Sequence, residues 1–264
     1  PAYAPPESNP STASFGYTRR MIWIFLACSP AEPTRCNGSE LLCNKAIDQS
    51  TVLGTHNSMA STDAGFLPPN HIYGIPQQLR DGVRGLNLDT YWSDDQAMLC
   101  HGFCELGQQP LVDALSDVKD FLTEQPDSVI IITFQAAISA EQTVAAFEQA
   151  ELASEMYEHP LGTAWPSLIT LIENQQRLIV FASNDGGTVP GYMDQWTHWI
   201  DNPYSANTTD DFSCAPDRGD LETASLYNLN HFLTNPIASQ SSAEEANQAS
   251  VLQTHLDECQ RAWG

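Results

Sequence analysis

Positively charged residues are scarce in this sequence. It has 10 Lys and Arg residues, of which only Lys45 and Lys119 are lysines, against 33 Asp and Glu residues, and its formal net charge at pH 7 is −23. A surface of this charge repels phosphate backbones and anionic lipid head groups, because binding to either depends on clustered cations. The composition therefore argues against nucleic-acid binding and against strong electrostatic attraction to an anionic membrane.

Long apolar runs and periodic glycines are also missing. No run approaches the roughly 20 residues that a membrane-spanning helix needs, and Gly and Pro recur without a period, which excludes a collagen-like chain. Hydrophobic residues nevertheless make up 42% of the 264 residues, which is enough to bury a core. The chain is therefore predicted to fold as a globular domain.

Residues 1–35 are predicted to be a disordered segment like an export or lipoprotein signal, ahead of a folded domain at 36–264. A pair of arginines at 19–20 precedes a short apolar run, which is typical of secretory signals. The run ends at Leu-Ala-Cys28, which resembles a bacterial lipoprotein acylation site, although Phe25 stands where Leu is usual. The alternatives are a signal cut elsewhere or an apolar segment packed on the domain. We expect an extracellular or cell-envelope protein, attached to a membrane if Cys28 is acylated.

The cysteine count supports export. Six of the seven cysteines can pair, as expected in an oxidising compartment, and Cys28 is left over. Spacing alone does not fix the connectivity, so the pairing is a working prediction: Cys36–Cys43, Cys100–Cys104 and Cys214–Cys259. A zinc site is the rival interpretation, and the absence of any CxxC pair weighs against it.

Short apolar runs alternate with helical patterns along the chain. The runs at 129–134 and 178–182 are typical of strands buried on both faces, and apolar residues recur at helical spacing between 111 and 122. This alternation predicts the α/β class, with parallel strands in a distorted (β/α) TIM-type barrel. Because the sequence stops directly after a helical pattern, we expect the last strand of the barrel to be absent from this chain.

Polar residues follow several predicted strands, where a barrel places its active site. Two of them, His56 and His101, suit acid–base cleavage of a phosphodiester, in which one imidazole takes a proton and the other donates one. That chemistry needs a cation near the phosphate, and Arg84 is the candidate by its placement, whereas Asp89 or Asn57 could instead hold a metal. The alternative is that each histidine is an ordinary loop residue. The strand-end residues are His56, Asn57, Asp89, Gln135, Asn184, Asp185, Asn228 and Asn230.

Four segments carry these residues in a fixed order. They are Thr55-His56-Asn57-Ser58, Gly82-Val83-Arg84-Gly85-Leu86-Asn87-Leu88-Asp89, Leu99-Cys100-His101-Gly102 and Asn228-Leu229-Asn230-His231-Phe232. In order and spacing they resemble the phosphatidylinositol-specific phospholipase C X-domain family, and Cys-Asn-Gly-Ser at 36–39 is similar to its secreted branch. The similarity covers roughly residues 36–260.

The resemblance implies a distorted barrel and a reaction run by two histidines. His56 would be the general base that deprotonates the inositol hydroxyl beside the phosphate, and His101 the general acid that protonates the departing diacylglycerol oxygen. The first product would be a cyclic phosphate, which water then opens. Arg84 would bridge the phosphate or hold the mouth of the barrel together. The substrate-binding residues would be Asn57, Asn228 and Asn230.

The resemblance also bears on calcium. Calcium-dependent members hold the ion with an Asn after the first histidine and with carboxylates on the following strands. The corresponding residues here are Asn57, Asn87, Asp89 and Gln135, of which one is a carboxylate. Because calcium affinity follows the number of charged oxygens, the resemblance implies a weak or empty site.

The metal-free members differ from this chain in two ways. They have an arginine at the position of Asp89, and they orient the base histidine with a carboxylate from late in the chain. For that carboxylate, Asp185 and Asp217 are the candidates here. The predicted site therefore matches neither subtype.

We predict an exported, monomeric phosphoric diester hydrolase of the phospholipase C type that acts on an inositol-type lipid. One alternative is a phosphodiesterase for another glycerophosphodiester head group on the same barrel. The other is a non-catalytic barrel that binds lipid or glycan, which the loss of two acidic ligands favours. No cofactor is predicted apart from weakly bound calcium.

Overall fold

The computed structural model describes residues 35–234 and 239–263. The segment predicted to direct export, with Cys28, lies outside these residues except for its last position, so acylation of Cys28 stays a prediction. In the described part of the chain, no helix combines the length and the apolar character needed to cross a membrane.

Strands and helices alternate along the described residues. The strands are β1 Gly54–Thr55, β2 Gly85–Ser93, β3 Gln96–Cys100, β4 Gln108–Pro110, β5 Ile130–Ala136, β6 Leu178–Ala182, β7 Tyr192–Asp194, β8 Trp199–Asp201 and β9 Leu226–Asn228. The α-helices are α1 Ile75–Arg80, α2 Leu111–Glu124, α3 Ala140–Gln149, α4 Leu168–Glu173, α5 Gln195–His198, α6 Gln240–Ala246 and α7 Ala249–Trp263.

A central parallel sheet organises the domain. Strands β1, β2, β5, β6 and β7 run parallel, and β3 and β4 add an antiparallel edge beside β2. Strands β8 and β9 form a separate parallel pair. The α/β class with a central parallel sheet is thus confirmed, while the described strands do not join into one closed, hydrogen-bonded barrel. The segments that follow β1 and β9 still meet, because the ring of His56 stacks on that of Phe232.

Both faces of the sheet are covered, which explains the continuous apolar runs. On β6, Leu178 and Val180 pack in the cluster that includes α1, α2 and α3, whereas Ile179 and Phe181 pack in a second cluster with α4 and Trp165. Alternate residues of a strand point to opposite faces, so a strand buried on both sides needs apolar residues at every position.

The three predicted disulfides are confirmed as Cys36–Cys43, Cys100–Cys104 and Cys214–Cys259. Cys214 and Cys259 lie beside His255 at distances that would suit a metal. Their sulfurs are joined to each other, however, so the described residues do not support the zinc interpretation.

Candidate active site

The loop after β1 is fixed to the neighbouring strand β2 by hydrogen bonds around Asn87. The backbone N–H of Ser58 donates to the carbonyl of Asn87 at 2.8 Å, and the N–H of Asn87 donates to the Ser58 hydroxyl at 3.0 Å. The backbone N–H of Asn57 donates to Oδ1 of Asn87 at 3.2 Å. A buried hydroxyl and two amides thereby set the position of His56, which lies between Thr55 and Asn57.

Asn57 connects the two predicted catalytic histidines. Its backbone is left-handed, with φ of 50°, a conformation that Asn adopts more readily than most residues. Its side-chain Nδ2 lies 3.1 Å from Nε2 of His101. Because Asn57 follows His56 directly, this contact brings the loop after β1 and the loop after β3 into one site.

His101 follows the last residue of β3 and lies between the cysteines of the Cys100–Cys104 disulfide. Its Nδ1 is buried and has no hydrogen-bond partner among the described residues. Its Nε2 contacts Asn57. Of the two ring nitrogens, Nε2 is therefore the one with a polar neighbour in the site.

The environment of His56 favours its neutral form. The ring keeps contact with solvent, although protein surrounds much of it. Burial, together with the neighbouring charges of His101 and His71, lowers the pKa of His56 to about 4. A histidine that is neutral at neutral pH can accept a proton, as a general base must.

His71 supports the loop from the other side. Its Nε2 lies 2.7 Å from the carbonyl oxygen of His56. Burial lowers the pKa of His71, and the bond to the His56 carbonyl partly opposes this effect. No motif marked His71, because the contact arises from the path of the loop between β1 and α1.

Polar side chains line the face of β2 and β5 next to this loop. Nδ2 of Asn87 donates to the hydroxyl of Thr133 at 3.2 Å, and Asp89 pairs in register with Gln135. Asp89 is 5% exposed, and its Oδ1 has no partner in the described part of the chain. Burial raises the pKa of the Asp89 carboxyl to about 7. Gln135 is exposed.

A sequence model of the PI-PLC X domain family, described as PI-PLC X 1, matches residues 42–264. The chain belongs to the PI-PLC X domain family. Membership supports a phospholipase C-like phosphodiesterase and agrees with the resemblance of the four motif segments.

Two curated relatives carry the same family name, and a third is named for its secretion. A PI-PLC X domain-containing protein of Arabidopsis thaliana is 27% identical over 225 residues, which cover 76% of this chain and 52% of that protein. PI-PLC X domain-containing protein 1 of Arthroderma benhamiae is 28% identical over 220 residues, covering 78% and 71%. A protein of the same fungus named an uncharacterized secreted protein is 26% identical over 194 residues, covering 70% and 43%. The chain thus spans about half the length of the Arabidopsis protein.

Solved structures with a similar chain path include two phospholipases C. A phosphatidylinositol-specific phospholipase C from Staphylococcus aureus has 18% identity and a TM-score of 0.45, covering 61% of this chain and 56% of that one. PLC21 from L. pealei has 15% identity and a TM-score of 0.42, covering 58% and 20%.

The donor set of this PI-PLC X domain does not fit a high-affinity calcium site. Oδ1 of Asn87 already accepts the N–H of Asn57, and Gln135 is neutral and exposed. Among the four predicted ligands Asn57, Asn87, Asp89 and Gln135, Asp89 alone supplies a negative charge. Calcium sites draw their affinity from several charged oxygens.

The structure does not bring Arg84 into the site. Its Nη1 donates to the carbonyls of Leu79 and Val83 at 2.8 Å, and its guanidinium lies 4.7 Å from the ring centre of Phe121 on α2. Alternation along β2 explains this placement, because even-numbered residues such as Leu86 face the helices while Asn87 faces the site. The phosphate contact expected of Arg84 therefore has no geometric support.

Asn228 and Asn230 are engaged within the protein rather than turned toward the histidines. Nδ2 of Asn230 donates to the carbonyl of Asn202 at 2.6 Å and to Oδ2 of Asp201 at 3.2 Å. Nδ2 of Asn228 donates to Oδ1 of Asn230 at 3.0 Å. The segment after β9 reaches the site through Phe232 instead, whose ring stacks on His56.

Neither carboxylate considered for orienting His56 bonds to its ring. Oδ2 of Asp185 accepts the N–H of Ala140 at the start of α3, at 2.7 Å. The backbone of Asp217 donates to the carbonyl of Asp201 at 2.8 Å. Among the described residues, the ring of His56 is held by an aromatic contact and not by a carboxylate.

Proposed function

We propose that this chain is an exported phosphodiesterase of the phospholipase C type that cleaves an inositol-type lipid with His56 and His101. The observation that carries the proposal is the joining of both histidines in one site through Asn57, whose Nδ2 lies 3.1 Å from Nε2 of His101. Family membership supports the same class of reaction. The name of the secreted relative and the three disulfides support export.

The proposed reaction uses His56 as the base and His101 as the acid. Neutral His56 takes the proton of the inositol hydroxyl beside the phosphate, and the resulting oxygen forms a bond to phosphorus. The bond from phosphorus to the diacylglycerol oxygen breaks, and protonated His101 gives its proton to that oxygen. The product is a cyclic phosphate. Water then opens the ring, with His101 accepting the proton of water and His56 returning one to the inositol oxygen.

In the proposed mechanism the positive charge facing the phosphate comes from the acid form of His101, because neither Arg84 nor Arg218 is free to supply it. Arg84 lies on the helix side of β2, and Arg218 forms an ion pair with the buried Asp201. The amide of Asn57, next to His101, adds a neutral donor. We propose no metal in this reaction, because the donor set holds one carboxylate.

Exposed apolar side chains support a substrate held in a lipid surface. They lie on the β1–α1 loop, residues 56–74, and on the β3–β4 loop, residues 101–107, which carry the site histidines. The largest are Leu67, Ile72, Tyr73, Phe103 and Leu106. The two loops are tied together, since the N–H of Leu67 donates to the carbonyl of Leu106 at 2.7 Å. Exposed apolar side chains beside a site are typical of contact with a lipid surface.

A second candidate is a non-catalytic domain that binds a lipid head group. The single carboxylate at Asp89 and the distance of Arg84 from the site favour it, because the charges that usually assist phosphate cleavage are few. Another glycerophosphodiester as substrate is the remaining alternative within the enzyme class. Activity on a panel of head groups separates these candidates.

The test is hydrolysis of a soluble chromogenic inositol phosphodiester, with and without a calcium chelator. His56→Ala and His101→Ala should each lower kcat by about 10²–10⁴-fold, as expected for loss of a general base or acid. Chelation should leave the rate unchanged. The matched control is His159→Phe, which replaces a buried imidazole stacked on Trp165 and should retain wild-type turnover.

Each outcome has one interpretation. Unchanged turnover in either alanine variant would remove that histidine from the mechanism. Loss of turnover on chelation would show that a metal takes part. Wild-type protein that binds inositol-lipid vesicles but hydrolyses neither lipid nor chromogenic ester would establish the binding function instead.

A further inference from the structure

The imidazole of His56 is held by a ring and not by a hydrogen bond. Its centre lies 4.5 Å from that of Phe232, and the two planes differ by 5°. Among the described residues, no hydrogen bond to its Nδ1 or Nε2 accompanies this stack, and no acceptor fixes the ring in the way that the third member of a catalytic triad does.

The segment that carries Phe232 is anchored on both sides of it. Nε2 of His231 lies 2.8 Å from the carbonyl of Ala246, and its Nδ1 lies 2.9 Å from Nδ1 of His255. On the other side, the N–H of Thr234 donates to the carbonyl of Ala206 at 2.8 Å. Because the backbone on both sides of Phe232 is held by these hydrogen bonds, the orientation of the phenyl ring is fixed.

The anchor on the His231 side is itself buried and cross-linked. His255 is 3% exposed, lies on α7 and stacks on Phe212 with ring centres 4.8 Å apart. The disulfide Cys214–Cys259 joins α7 to the chain near Phe212. The C-terminal helices thus reach the site through His231 and Phe232.

We propose that Phe232 is a positioning residue for His56. Its ring fixes the plane of the imidazole, so that one ring nitrogen faces the site and the proton of the substrate hydroxyl. This inference rests on the proposed function of His56 as the general base. Orientation matters here because a catalytic group displaced by about 1 Å can lose about 10²-fold in rate.

The test compares Phe232→Leu, which removes the ring, with Phe232→Tyr, which keeps it. On the soluble chromogenic inositol phosphodiester, Phe232→Leu should lower kcat about 10–100-fold with little change in KM, because substrate binding does not depend on the plane of the base. Phe232→Tyr should retain most of the wild-type kcat. The control Trp92→Leu, an exposed aromatic side chain at the end of β2, should behave like wild type.

A spectroscopic arm tests the stack without turnover. The ring proton on Cε1 of His56, assigned by its loss in His56→Ala, should resonate upfield in wild type and Phe232→Tyr because it lies over an aromatic face. It should move downfield in Phe232→Leu. Phe232→Met serves the same comparison if the leucine variant does not fold, which thermal unfolding of each variant reports.

The outcomes separate this inference from the proposed function. Suppose that the wild-type protein turns over the substrate. If Phe232→Leu or Phe232→Met then has the wild-type kcat, the positioning role alone is overturned. The same holds if Phe232→Leu and Phe232→Tyr lose equal amounts of kcat. An unmoved His56 resonance would do the same. A wild-type protein without turnover would overturn both, whatever the spectrum shows.

Discussion

At the scale of single residues, Asp89 is the most costly group in the site. It is almost fully buried, one of its oxygens has no partner among the described residues, and burial raises its pKa to about 7 from the ordinary 3.8. Between these values the folded protein holds a proton that the unfolded chain has released. The free energy of unfolding therefore falls as pH rises from about 4 to about 7.

Asp89→Asn should remove this dependence. A pKa difference of about 3 corresponds to about 4 kcal/mol at pH 8, and the variant should recover about 2–4 kcal/mol of unfolding free energy there, with no gain near pH 4. Urea unfolding at pH 4 to 8 measures it. Asp94→Asn, which changes an exposed carboxylate in the turn after β2, should keep the wild-type slope. If the free energy of unfolding of Asp89→Asn and of wild type changed with pH in parallel, the charged form of Asp89 would cost the folded protein little free energy.

Sequence reasoning could single out His56 and His101 as a candidate pair, but it could not predict the contacts that surround them. His56 and His101 stood in motif segments, and the structure brings them together through Asn57. Arg84 stood in a motif as well, yet the alternation of β2 turns it toward α2. Whether a strand residue faces the site depends on which face of the sheet the helices cover, and that is settled by packing.

At the scale of elements, the site depends on how closely the two loops around it approach. Gly107, at the end of the β3–β4 loop, has φ of 147°, and a Cβ atom there would lie 2.6 Å from Cα of Phe66. Only glycine permits this approach. The contact holds the β1–α1 loop, with His56 and His71, against the loop that carries His101.

Gly107→Ala should therefore destabilise the protein more than backbone conformation alone explains. Overlap with Phe66 should cost about 1–3 kcal/mol beyond the strain of the backbone. The control is Gly162→Ala, which also has positive φ, 73°, but nothing within 4 Å of the added Cβ. Chemical unfolding of both variants gives the difference. Equal losses of unfolding free energy in the two variants would mean that the two loops can move apart at no cost in stability.

The elements that sequence patterns predicted best are those buried on both faces. The strand at 178–182 has the predicted bounds, because every residue of the apolar run is buried and polar residues begin directly outside it. Strands β7 and β8 were missed, since each has three residues and no period can be read from so few. The helical pattern at the end of the sequence corresponds to two helices, α6 and α7, separated at residues 247–248. That break depends on the packing of α6 and on the cap at Asn247.

At the scale of the whole molecule, charge bears on the proposed contact with a lipid surface. The net charge of −23 opposes approach to a membrane containing an anionic inositol lipid, whereas the exposed apolar side chains of the two site loops favour contact. The electrostatic repulsion acts over the screening length, which salt shortens, whereas the apolar side chains stabilise binding only in direct contact with the lipid. The balance between them is therefore set by ionic strength.

Hydrolysis of inositol lipid in vesicles should rise several-fold when salt increases from about 0.01 M to about 0.15 M, because the screening length falls from about 30 Å to about 8 Å. Turnover of the soluble chromogenic ester at the same salt concentrations should change little, since its single charge feels the field of the protein weakly. Initial rates on both substrates give the comparison. A vesicle rate that falls with salt would require a cationic docking patch, and among the described basic residues Arg177 and Arg218 are already paired with Glu155 and Asp201. Contact with the membrane is thus expected through the apolar loops, in spite of the charge of the molecule and not because of it.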